Sequence, residues 1–199
     1  MTRKRAINNV LRPTVAGLTA VLLLGCQSTG SSVTVSYYAV NGQSLDAIDR
    51  EIRKKGPRIS RSRHAVAVAR IRMKPKMRFA RSDDGCRVAQ AKVSVDARVT
   101  LPAWTGRDVP NRSLSQAWVN IDRYTRQHEA THVAIAFNHA RRMEQALLTE
   151  VSARNCAAAR KSAARIMRGG LAAHDAAQRQ FDANEKRRIA MNARRESQP

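Results

Sequence analysis

From Val93 to Leu101 the chain alternates without a break: Val93, Val95, Ala97, Val99 and Leu101 are apolar, and Ser94, Asp96, Arg98 and Thr100 between them are polar. A period of two puts every second side chain on one face, so this stretch predicts a β-strand buried on one side. VTVSYYAV (33–40) and HAVAVARIRM (64–73) are rich enough in β-branched and aromatic residues to predict two more strands. Between them the period changes. Leu45, Ile48 and Ile52 fall three and four apart, Ser44 stands at the N-cap position, and Gly56-Pro57 end the run, which predicts a short helix.

Pro102 to Arg112 reads as a loop with two prolines, after which Ser113 is placed to cap a long helix. Leu114, Trp118, Ile121, Thr125, His128, His132, Ile135, His139, Met143 and Leu147 follow at spacings of three and four, a single stripe that faces the rest of the domain. A second helix is predicted from Asn155 to Arg168, stopped by Gly169-Gly170, and a third from Leu171 onward, with AMNARRESQP fraying at the end. Strands first and helices after them predict an α+β fold: a small, mostly antiparallel sheet with one early helix, then a helical half. One domain is expected over 33–190, with a basic tail over 191–199.

The N-terminal segment changes the picture of where the chain works. MTRKRAINNVLR carries four positive charges and no acid, and PTVAGLTAVLLL after it is the length of a signal core and too short to span a bilayer. It closes in Leu23-Leu24-Gly25-Cys26, which resembles a bacterial lipoprotein signal: Cys26 would be acylated and become the first mature residue, with Gln27 to Ser32 as a tether. An ordinary signal peptide or an uncleaved anchor is the alternative. Gln27, by analogy with Gram-negative lipoproteins, favours the periplasmic face of the outer membrane. Two cysteines remain, Cys86 and Cys156. In an oxidising compartment an even pair is most simply one disulfide rather than two buried thiols.

The net charge is +22, or +18 without the four basic residues of the leader. The basic residues are scattered and only 4% of the chain is aromatic, so neither a stacking platform nor a compact motif for nucleic acid is present. A solvated basic surface suits anionic lipid headgroups better.

The chemistry lies in RQHEATHVAIAF (126–137). On a helix, His128 and His132 sit on one face and can hold a single metal ion, and Glu129 is placed to act on the water beside it. Two ordinary histidines on a helix face would spell the same letters.

YYAVNGQSLDAIDREIRKKGP, the Cys86 strand closing in Leu101-Pro102-x-Trp104, and Trp118 ten residues ahead of HEATH, in that order, resemble bacterial domain-of-unknown-function family 922, the predicted secreted zinc-dependent proteases. The resemblance implies a zincin-like domain with zinc as cofactor, His128 and His132 as ligands, Glu129 as catalytic base, and a peptide or protein as substrate. One departure stands out. The family's end carries aromatic-Asp-x-x-Thr-x-His-Gly. Here Phe181 and Asp182 match, whereas Glu185, Arg187 and Arg188 replace the Thr, His and Gly.

A catalytic zinc needs a third protein ligand. His139 shares the helix face, but two turns put it ~10 Å from His132. Glu150, eighteen residues past His132, would continue the same helix away from the site. The returning helix offers Asp182 as first choice, then Glu185 and His174. The expected function is a zinc-dependent metallopeptidase of the cell envelope. The alternative is a degenerate zincin-like lipoprotein that binds or supports without catalysis.

Overall fold

A computed structural model describes residues 30–61, 63–106 and 111–198. Cys26 and the first half of the tether, residues 27–29, lie outside them. Four strands and three helices follow in the order β1 (Ser32–Val40), α1 (Leu45–Lys55), β2 (Val68–Ser82), β3 (Gly85–Trp104), α2 (Arg112–Glu150), β4 (Ser152–Ala153) and α3 (Cys156–Glu196). The class is α+β, as the order of patterns predicts. β3 is central: β2 and β4 pair with it antiparallel and β1 pairs parallel, so the sheet is mixed and antiparallel in two of its three pairings.

β2 and β3 form a long hairpin closed at Ser82–Gly85, and its length corrects the sequence reading. β2 starts four residues later than the predicted strand and runs nine residues past it. β3 extends well beyond 93–101 in both directions and takes in Pro102. Residues 74–82 carry no β-branched residue: Pro75 interrupts them and their large apolar positions are Met77 and Phe79. β2 is an edge strand, where proline is tolerated. A bulge between Arg78 and Phe79 also breaks the period of two.

α2 lies across the inner face of β3. Ala136, Ala140, Met143 and Leu147 pack against Val93, Val95 and Ala97, joined by Ala159, Ala163 and Met167 of α3. A second cluster forms where α2 passes the end of the sheet, with Trp104 and Trp118 packed on Ile48 and Ile52 of α1. The cap of α2 is Asn111, which accepts from the Leu114 amide, and not Ser113. Ser44 caps α1 as expected.

Gly169-Gly170 do not stop a helix: α3 is continuous from Cys156 to Glu196, through the stretch expected to fray. The reason at Gly170 is packing. A Cβ there would come within 2.3 Å of Met143 Cγ, so the glycine lets α3 cross α2 in close contact. The Cys86–Cys156 disulfide ties the start of α3 to the start of β3, across 70 residues of sequence.

Candidate metal centre

α2 presents its motif differently from the simple stripe. The line buried against the sheet runs Thr125, Glu129, Ala136, Ala140, Met143, Leu147, and Glu129 is only 6% exposed. His128 and His132 lie on the flank of that line and turn toward α3, whose residues 174 to 185 pass alongside. The histidines thus face the rest of the domain through α3, while Glu129 takes the side turned to the sheet. Small alanines at 136 and 140 bring the helix close to β3 and set this rotation.

On the flank, three ligand atoms converge. His128 Nε2 is 3.1 Å from His132 Nε2, and Asp182 Oδ1 lies 3.4 Å from the first and 3.0 Å from the second. Ligands at ~2.1 Å from one tetrahedral zinc are themselves about 3.4 Å apart. The triangle has edges of that size. Phe181 packs against both imidazoles, with ring centroids at 4.9 and 5.1 Å, and walls the cluster from one side.

Gln178, which nothing in the sequence singled out, fixes the orientation of His132. Its Nε2 donates to the His132 carbonyl at 3.0 Å, so the side-chain oxygen is the atom 2.5 Å from His132 Nδ1 and accepts that ring proton. Nε2 of a neutral His132 is then a bare lone pair, 3.0 Å from a carboxylate oxygen. Two acceptors so close repel unless a proton or a cation lies between them, which is the donor chemistry of a metal site. The same Gln178 amide also meets His174 Nε2 at 2.8 Å, and His174 Nδ1 faces Asp175 at 3.1 Å. Asp175, His174 and Gln178 thus form a chain of hydrogen bonds ending on His132.

The remaining candidates are elsewhere. His174 is buried behind Gln178. Glu185 accepts from Tyr124 and pairs with Arg188 at 2.8 Å, which holds its carboxyl well below the ordinary range. Glu150 is the last residue of α2. His139 stands against His174, ring centroids 5.8 Å apart, and belongs to none of the ligand edges. Among the described residues, only His128, His132 and Asp182 bring three such ligand atoms together.

Two clefts open on either side of the ridge made by Tyr124 and His128. One, about 330 Å³, is lined by Val66, Ala67, Thr125 and Glu129. The other, about 440 Å³, includes Gln127, Thr131, Phe181, Glu185 and Arg188. Tyr38 donates to the Val66 carbonyl at 2.7 Å and holds the 65–67 segment over the first cleft. Burial raises the Glu129 carboxyl above its ordinary value, an effect that His132 and the Ala69 amide partly offset. Burial, with His132 beside it, lowers His128.

The fold and the cluster define an α+β domain with two histidines and a carboxylate gathered between two long helices. The chain belongs to the bacterial proteins of unknown function DUF922, whose family profile matches residues 35–188. Neither a curated protein nor a solved structure matches it.

Proposed function

We propose that this protein is a zinc-dependent peptidase of the bacterial cell envelope, with His128, His132 and Asp182 as ligands and Glu129 as general base. The convergence of the three ligand atoms at zinc-site separations carries the reading. His128, His132 and Asp182 would hold a zinc ion, which would supply Lewis acidity to a water molecule and to the scissile carbonyl. Glu129, buried in the adjoining cleft with a raised pKa, takes a proton from the attacking water. The water oxygen bonds to the carbonyl carbon, the C–N bond breaks, and Glu129 returns the proton to the leaving nitrogen. Gln178, bonded to His132 Nδ1, would hold the ring in the orientation that leaves its Nε2 free as a ligand.

The same reading places the protein at the membrane through an acylated Cys26, on the periplasmic side. A degenerate zincin-like lipoprotein with a binding or structural role and no catalysis is the second reading. It draws on the replacement of the family's Thr, His and Gly by Glu185, Arg187 and Arg188.

One set of variants separates the two. His128→Ala, His132→Ala and Asp182→Ala should each lose stoichiometric zinc by elemental analysis. Glu129→Gln should keep the metal while peptide hydrolysis falls by roughly 10²–10⁴-fold. A wild-type protein that binds zinc yet cleaves no peptide in a diverse library supports the non-catalytic reading. One that neither carries nor takes up zinc refutes the catalytic reading and leaves the degenerate lipoprotein in its place.

A further inference from the structure

On β2, Arg70, Arg72, Lys74, Lys76 and Arg78 occupy every second position and are all exposed, on the face of the sheet opposite α2. The register sets Arg70 beside Arg98 and Lys76 beside Lys92 of β3, like charges directly opposite one another, an arrangement that lowers sheet stability unless anions are present. Asp96 is the one acid that β3 adds to this face. Arg98 turns to it at 3.9 Å, and Lys92 reaches Glu144 at the sheet edge. Arg72 stands opposite Asp96 in the register, and among the described residues Lys74, Lys76 and Arg78 have no ion-pair partner.

The chain enters the fold on this same face. Gly30 lies against Ser94, with a would-be Cβ 3.5 Å from the serine's, and Ser31 Oγ accepts from the Val95 amide. Gly30, Lys74, Lys76, Arg78, Lys92 and Ser94 border one open cleft of about 590 Å³. Cys26 is four residues upstream, and since an extended chain covers at most ~3.6 Å per residue, its Cα can be no farther than about 14 Å from that of Gly30.

We infer that the outer face of the β2–β3 hairpin docks on an anionic phospholipid surface, and that the tether and the cationic stripe together set one orientation of the domain on its membrane. The inference rests on the proposed anchor at Cys26. Charge complementarity is effective only within about 8 Å at physiological salt, and a tether this short keeps the face near that range. Single-stranded nucleic acid is disfavoured, because no aromatic side chain interleaves with the cations along the β2 stripe. Docked this way, the helices with His128 and Asp182 point away from the bilayer.

The test uses the full lipidated chain, reconstituted into vesicles of phosphatidylcholine alone or with a third phosphatidylglycerol, and reads acetylation rates at single lysines by mass spectrometry. Lys74 and Lys76 should label roughly fivefold more slowly on the anionic vesicles, while Lys161 and Lys186 on α3 label alike on both. The Lys74→Glu/Lys76→Glu protein, altered only at exposed positions, should lose the composition dependence of labelling at Lys92. Equal labelling of Lys74 and Lys76 on both vesicles overturns the inference. So does protection by duplex DNA without protection by phosphatidylglycerol. The anchor is read separately, by flotation with phosphatidylcholine vesicles, so each reading can fail without the other.

Discussion

The two halves of α3 are held to the rest of the molecule by different forces. From Cys156 to Gly170 the helix contributes Ala159, Ala163 and Met167 to the core, carries the disulfide, and closes on Met143. From His174 to Glu185 its contacts with α2 are largely polar: Gln178 to His132, Asp182 to both histidines, and Tyr124 to Glu185. Apolar burial tolerates small changes of direction, whereas hydrogen bonds and ligand edges do not. One helix therefore anchors the fold with its first half and presents donor atoms with its second.

Removing the disulfide should have the largest effect on the anchored half. On the loop-entropy account a closure of 70 residues contributes about 4 kcal/mol, so Cys86→Ser/Cys156→Ser should unfold at much lower denaturant than wild type. Gln178→Ala tests the other half. It should leave the unfolding midpoint of the metal-free protein nearly unchanged but weaken zinc binding by roughly 10–100-fold in a chelator competition. If instead zinc affinity holds and stability falls, the two halves are not divided as described.

The glycine pair sharpens the boundary. Gly170→Ala forces a Cβ onto Met143 and should cost roughly 1–3 kcal/mol, moderated by the flexibility of the methionine. At Gly169 a Cβ meets nothing within 4 Å, and alanine there should stabilise the helix by roughly 0.5–1 kcal/mol in the same denaturant assay.

The smallest effect concerns Glu129. Its folded-state pKa is raised, so the fold holds that proton more tightly than the unfolded chain does. The favourable contribution is complete below the ordinary carboxyl value and is lost as pH rises through the folded-state value. At neutral pH the ionised group thus opposes folding of the metal-free protein. Glu129→Gln should raise the apo Tm at pH 7, and the gap should close below about pH 4.

Legibility followed the strength of local periodicity. The alternation at 93–101 announced the centre of β3 because a sheet with one covered face demands it. The cationic half of β2 was hidden by Pro75 and by methionines, residues that only an edge position and a packed inner face reconcile with a strand. Gly169-Gly170 were read as a stop because glycine disfavours helix by ~1 kcal/mol, a cost that close contact with α2 offsets at one of the two positions. The histidines and Glu129 were visible as a motif. Their rotation was not, since it is set by Ala136 and Ala140, which a stripe of large side chains passes over. Gln178 left one faint trace, its position four residues after His174 and four before Asp182. A glutamine has no ligand character to mark it.

The uninterrupted run of α3 makes the second half of the helix a lever. Gly170, where it crosses Met143, is twelve residues from Asp182, about 18 Å along the axis, so a tilt of only ~5° at the crossing displaces the carboxylate by about 1.6 Å. That distance is most of a metal–ligand bond. On the proposed metal site, zinc affinity would accordingly be a gauge of helix angle, and substitutions at a contact remote from His128 and His132 should register there before they register in the stability of the fold.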